Sequence, residues 1–269
     1  MLERGRFSIL LAVTLTGATL FHFVELPTFS WNVRRILGSP LGFTLGGNWL
    51  LPFMMIGLVA SGTFSLLRSY PYPEARERAL GFSLIAPALG ALLTSLLLIR
   101  AVTWPIWLGS LVLGGVVIGG LVHLTYRVFS LQQQGYASAR TLLNLADYLV
   151  GFVLFGIALK TPERALVTGP IIMSLSGLLS LDLLSASGAN TRSVLLFSGS
   201  IALLEGELVW VLGYWPISAW TAAVLLILGL YVEVGVSYQH LLGKLTRHIL
   251  IEFASLALIV FILTLTLKP

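Results

Sequence analysis

Nine apolar runs, each near the ~20 residues a helix needs to cross the hydrocarbon of a bilayer, follow one another along the chain with short polar breaks between them. They are Phe7 to Leu26, Phe43 to Leu67, Ala79 to Ile99, Ile106 to Tyr126, Leu142 to Leu159, Ala165 to Ser185, Ser193 to Leu212, Ile217 to Gln239 and Ile249 to Leu267. Only 10% of the residues are charged and 57% are hydrophobic, against about 25% charge in a typical soluble domain. Such a chain cannot clothe itself in a water-compatible surface, so its expected solvent is lipid. The expected fold is all-α: a polytopic integral membrane protein of about nine transmembrane helices, with residues 1–269 forming a single transmembrane domain. Arg4 and Arg6 precede the first run and no small-residue cleavage site follows it, so it reads as an uncleaved span.

The basic residues orient these spans. With the N-terminus inside, ten of the 16 Lys and Arg residues fall on the inner side, among them Arg68, Arg76, Arg78, Arg127, Arg140, Arg192, Lys244 and Arg247. Six fall outside: Arg34, Arg35, Arg100, Lys160, Arg164 and Lys268. Positive charge favours the cytoplasmic side. The expected placement is therefore the inner cell membrane, with the N-terminus in the cytoplasm and the C-terminus outside. The net charge of +5 lies mostly in short loops, which points to anionic lipid as a partner and not to nucleic acid. The absence of cysteine removes disulfides and thiol chemistry.

Two pairs of landmarks suggest an internal duplication. Trp104-Pro105-Ile106 opens the fourth run and Trp215-Pro216-Ile217 the eighth, while Pro52 with Met55 in the second echoes Pro170 with Met173 in the sixth. Four spans is an even number, so the halves, 1–130 and 140–240, would be parallel repeats, with an extra helix at 245–269. The competing reading is that Trp-Pro pairs are ordinary interfacial anchors.

The functional signal is acidic. Of 11 carboxylates, Glu25, Asp147, Asp182, Glu205, Glu207, Glu233 and Glu252 fall inside or at the edge of a span, where an acid costs about 2.5 to 3.5 kcal/mol at the helix centre. Helical period sorts them into stripes. Glu233, Ser237 and His240 share a face with Gly229; His248, Glu252 and Ser255 make a second stripe, Asn144, Asp147 and Tyr148 a third, and His123 with Tyr126 and Arg127 a fourth. With Asp182 and Ser185 these lie toward the inner side, which predicts a polar vestibule open to the cytoplasm. Glu205 and Glu207 project about 200° apart on one helix, so they cannot share a groove. Glu207 is expected to pair near Arg100, leaving Glu205 the deeper, protonated acid.

Blander roles compete with each of these. Edge acids such as Asp182, Glu25 and Glu252 often cap helices or meet headgroups, and interfacial histidines such as His123 and His240 often only close hydrogen bonds. No metal-ligand spacing such as H-E-x-x-H occurs, no axial pair specifies haem, and no lysine lies mid-span to form a Schiff base, so neither metal nor cofactor is expected.

The nine spans, inner N-terminus and four-plus-four plan resemble those of intramembrane prenyltransferases that act on aromatic acceptors. That family carries aspartate-rich motifs in the inner loops after the second and sixth spans, where Mg²⁺ holds a diphosphate. Here those loops read SLLRSYPYPEARER and SLDLLSASGANTR, with only Asp182 at the corresponding depth. The likeness covers topology and lacks the clustered carboxylates that magnesium needs. Quinone-binding subunits of redox complexes, which use paired four-helix bundles, are similar in plan.

Three functions fit. The leading one is a proton-coupled carrier of a small or amphipathic solute, with Glu205, Glu207 or Glu233 exchanging protons. The second is an intramembrane enzyme on a lipid or isoprenoid, with His123 and Asp147 as acid and base. The third is a quinone-binding or scaffold subunit that works with other membrane subunits. The orientation is directly testable, because a cysteine-free chain accepts single reporter cysteines without background. A cysteine at Ser69 should react with an impermeant maleimide only in inverted vesicles, and one at Lys268 only in intact spheroplasts. The opposite pattern would reverse the topology.

Overall fold

The computed structural model describes residues 4–24, 29–36, 39–45, 49–68, 80–130, 135–160 and 165–266. Among them are nine α-helices: α1 (Arg4–His22), α2 (Leu50–Arg68), α3 (Ile85–Ile99), α4 (Trp104–Ser130), α5 (Tyr136–Lys160), α6 (Ala165–Ser185), α7 (Thr191–Leu212), α8 (Ala219–Leu241) and α9 (Arg247–Thr266). Eight helical segments are long and apolar enough to cross a membrane. Their outward faces carry large apolar side chains, such as Phe53 (71% exposed) and Val112 (67% exposed). In water such a surface would aggregate; in hydrocarbon it costs nothing.

Several boundaries differ from the sequence reading. The second span was expected from Phe43, but α2 starts at Leu50, and Phe43 lies in a strand. The connector holding Trp31, Arg34 and Arg35 forms an antiparallel hairpin, β1 (Phe29–Ile36) with β2 (Ser39–Leu45), pairing Phe29 with Leu45 and Trp31 with Phe43. Apolar residues alternating with polar ones over seven or eight positions fit a strand as well as the edge of a span, and pairing settles the choice. The third span enters through a short 3-10 turn, Phe82–Leu84. Trp104 begins α4, whereas Trp215 and Pro216 precede the helix that follows them, because Ser218 is its cap: the Ser218 hydroxyl accepts from the Thr221 N–H at 3.1 Å. Glu25 and the loop at 69–79 lie outside the described residues.

The chain divides into two compact units, Met1–Pro73 with Ala86–Arg140 and Glu74–Ile85 with Thr141–Pro269. In the first, Leu10, Met55, Val59, Ala91, Trp107, Ile118 and Val122 form a continuous buried cluster. Small residues let the helices meet: Gly17 faces Leu58 and Met54, Gly62 faces Leu10, and Gly114 takes the buried Thr94 side chain against its Cα. In the second unit, Gly151 of α5 receives Leu179 of α6 and Ile227 of α8. Gly156 receives the Trp220 ring, which also meets Phe152 at 5.5 Å and carries the Lys160 ammonium over its face at 5.6 Å. Phe253 of α9 seats against Gly235 of α8.

The turns that set these helices antiparallel have local causes. α6 and α7 are joined through Gly188 at φ +68°, a left-handed conformation that glycine takes without strain, and Asn190 caps α7. α8 stops at Gly243 (φ +67°), whose N–H bonds the His240 carbonyl while the Lys244 N–H bonds that of Gln239. This double bond pattern satisfies carbonyls the helix would leave open.

Thr94 is fully buried and its hydroxyl is committed to the Gly90 carbonyl at 2.8 Å, so it cannot swing aside. Gly114→Ala should therefore destabilise the chain by about 1–3 kcal/mol through overpacking, seen as a lower midpoint of thermal unfolding in detergent. Adding Thr94→Ala should restore most of the loss. An unchanged midpoint in the single variant would show that the α3–α4 contact is looser than described.

Candidate functional site

The second unit holds all the acids that the described part of the protein buries: Asp147, Asp182 and Glu205. Asp147 on α5 and Asp182 on α6 are each 1% exposed, and both interact with partners inside the protein. Ser185 also donates to the backbone carbonyl of Asp182 at 2.6 Å. Asp147 nonetheless keeps its Oδ2 buried without a hydrogen-bond partner.

Glu205 is different. It sits on the inward face of α7 with Ser198, Ile201, Ala202, Val209 and Leu212 and is fully buried. Neither carboxylate oxygen has a hydrogen-bond partner. Its Oε1 lies in the notch left by Gly229 of α8: a Cβ there would stand 2.7 Å from that oxygen and 3.1 Å from Leu208. Any other residue at 229 would displace the carboxyl, so the glycine makes its place. One turn further along α8, half-buried Glu233 interacts electrostatically with Glu205 and buries its own Oε2 without a partner. Two carboxyls thus share a seam between α7 and α8, and among the described residues three of their four oxygens are buried without a hydrogen-bond partner. A charged carboxylate with no partner is among the costliest groups to bury, and the neutral acid costs far less.

Polar residues continue from this pair toward one end of the seam. Ser198, seven residues before Glu205 on the same face, is 2% exposed with an unpartnered hydroxyl. Ser237 of α8 is buried, and three residues on, His240 is exposed with its ring 5.4 Å from Phe197 of α7. The Phe197–His240 contact places Ser198 and Ser237 at similar depth. Sequence reasoning took Glu233, Ser237 and His240 as one stripe but passed over Ser198; the i, i+7 spacing from Glu205 was the available signal.

The other sequence candidates lie elsewhere. Glu207 is exposed, on the side of α7 away from Glu205. His123 is exposed on α4, in the first unit, and Glu252 is exposed on α9, where the Ser255 hydroxyl donates to its backbone carbonyl at 2.9 Å. Tyr148, next to Asp147, packs edge-on to Tyr231 at 5.9 Å. Among the described residues no three metal-ligating side chains converge. At the opposite end of the seam, a cavity of about 300 Å³ opens beside the α7–α8 turn, lined by Thr168, Val209, Trp210, Trp215, Ile217 and Ala222 among others.

Eight helical segments of membrane length, with a carboxyl pair between α7 and α8 in the second unit, define an all-α, multi-pass membrane protein. Residues 29–267 match the family described as "Protein of unknown function (DUF5656)", and the chain belongs to that family. No curated protein matches it, and no solved structure does.

An acid retained for stability would be missed when removed; one retained for function would not. Glu205→Leu should therefore raise the stability of the purified protein by about 1–3 kcal/mol, the usual cost of a buried unsatisfied polar group, read as a higher unfolding midpoint. A lower midpoint would mean that Glu205 is structurally paired.

Proposed function

We propose that this protein is a proton-coupled carrier of a small or amphipathic solute, with Glu205 and Glu233 as the groups that load and release the proton. The observation that carries this reading is the fully buried Glu205 carboxyl with no partner on either oxygen, beside a second acid. A structural acid in lipid is paired; an exchanging one must be able to change charge. Glu233 is the intermediate step, being half-buried, and Ser198, Ser237 and exposed His240 give protons a polar route along the seam. Hydroxyl and imidazole groups can each both accept and donate a proton, which is what a relay requires.

We further place the protein in the inner membrane with its N-terminus cytoplasmic, in the orientation that the basic residues favour. The His240 end of the seam then faces the cytoplasm and the α7–α8 turn faces outward.

The test is a proteoliposome loaded with a pH-sensitive dye and challenged with solutes of cationic, neutral and anionic class. Wild-type protein should convert at least one solute gradient into proton flux. Glu205→Gln and Glu233→Gln should each cut that flux by tenfold or more, while Glu207→Gln stays within about twofold. Flux that survives in both glutamine variants would overturn the assignment.

A further inference from the structure

The cavity at the α7–α8 turn and the buried acid pair belong to one seam. Val209, which lines the cavity, stands one helical turn beyond Glu205 on the same buried face, about 6 Å along the axis. Ala222, also in the lining, stands two turns before Gly229, whose notch holds the Glu205 carboxyl. At Val209 the cavity therefore comes within one helical turn of Glu205, which does not itself line it, and the chemistry of both parts limits what a ligand can be.

The described side chains lining it are apolar or aromatic, Trp210, Trp215, Ile217, Val209 and Ala222 among them, with Thr168 the single hydroxyl and no charged side chain, while polar atoms make up about as much of its wall as apolar ones. The nearby Lys160 ammonium is turned onto the ring of Trp220, which is not part of the lining. Tryptophan faces attract cations, more strongly where water is excluded. Further along the seam lie two carboxyls whose buried oxygens have no partner among the described residues. An anion would meet only like charge in that seam, and a neutral solute would leave the acids as they are. A cation supplies the missing counter-charge. The volume, about 300 Å³, is at the lower end of the ~300–1,000 Å³ of small-molecule sites.

We infer that this seam binds a small lipophilic organic cation, such as an aryl or alkyl ammonium, in exchange for a proton. The step balances simply: the neutral carboxyl loses its proton to solvent along the polar route, and the carboxylate so formed pairs with the ammonium. No bond other than O–H is broken, and the net charge of the seam does not change. Cation and proton compete for one carboxylate, so binding tightens as pH rises. This inference rests on the carrier reading and narrows it to an antiporter of organic cations.

A permanently charged probe tests it, because it carries no proton of its own. Benzyltrimethylammonium should quench the tryptophan fluorescence of the purified full chain in detergent in a saturable way. In weak buffer it should release close to one proton per cation bound. Glu205→Gln should weaken binding at least tenfold and abolish proton release, and Glu233→Gln should weaken it as well. Trp215→Ala, at the cavity rim, should weaken binding several-fold while leaving the protons released per bound cation unchanged. Toluenesulfonate, an anion of similar size, should not bind. Equal binding of the sulfonate, or cation binding that Glu205→Gln leaves intact, would overturn the inference. The two readings fail separately. Proton-coupled flux of an anionic or neutral solute without benzyltrimethylammonium binding would sink the cation site and spare the carrier. Cation binding with proton release but no uptake driven by a pH gradient would sink the carrier and spare the site.

Discussion

In hydrocarbon there is no water to complete a polar group's hydrogen bonds, so every such group must find its partner within the protein. Several hydroxyls of the helices meet that demand locally, while those of Thr63, Thr125 and Ser198 are buried without a partner. Thr14 donates to Leu10, Thr19 to Leu15, Thr94 to Gly90, Ser174 to Pro170 and Ser176 to Ile172, each at 2.7 to 2.8 Å and each to the carbonyl one turn back. A carboxyl cannot do the same. It has no donor when ionised, and the helix behind it has no free N–H to offer. An acid on a spanning helix therefore depends on what a neighbouring helix brings, and Glu205 is brought only a glycine notch and another acid.

That dependence divides the labour between the two units. The described part of the first contains no acid, and its interior is filled by apolar side chains meeting glycines, with the Thr14 and Thr94 hydroxyls bonded to their own helices and those of Thr63 and Thr125 buried without a partner. Its packing is complete in itself. The second unit uses the same close approach, with Trp220 laid into Gly156 and Phe253 into Gly235, but adds the buried acids. There, one glycine serves a different end. Gly229 admits a carboxyl where the others admit hydrocarbon, so the same device of close helix contact makes a polar site.

Much of this was legible along the chain, and the reason is that a span's length is a local property. Among the described residues nine α-helices answer to the nine apolar runs, most within a few residues at each end, and eight segments are long and apolar enough to cross a membrane. The errors fall where another local pattern was available. Phe43 could continue an apolar run or alternate in a strand, and only its pairing with Trp31 decides. Pro216 could open a helix, but Ser218 two residues later is the better cap, and the helix waits for it. Of the site, the sequence supplied the inventory of acids and the Glu233, Ser237 and His240 stripe. It set Glu205 deeper than Glu207 but named no neighbour on the facing helix that would bury it, and Ser198 lay unnoticed on the face that mattered.

By itself, then, the sequence determined that the chain lives in lipid, that it has the length to cross many times, and that Glu205 and Glu207 must part company around their helix. Those follow from hydropathy and from 100° of rotation per residue, neither of which needs a neighbour. Which of the two acids turns inward was decided only by tertiary packing. A lone helix has no inside: its rotation about its own axis is set when the small residues of α6 and α8 offer α7 a surface to lie against. Gly177 opposite Ala202, Gly206 against Met173 and Gly229 opposite Glu205 fix that rotation. They make Glu205 the buried acid and leave Glu207 outside.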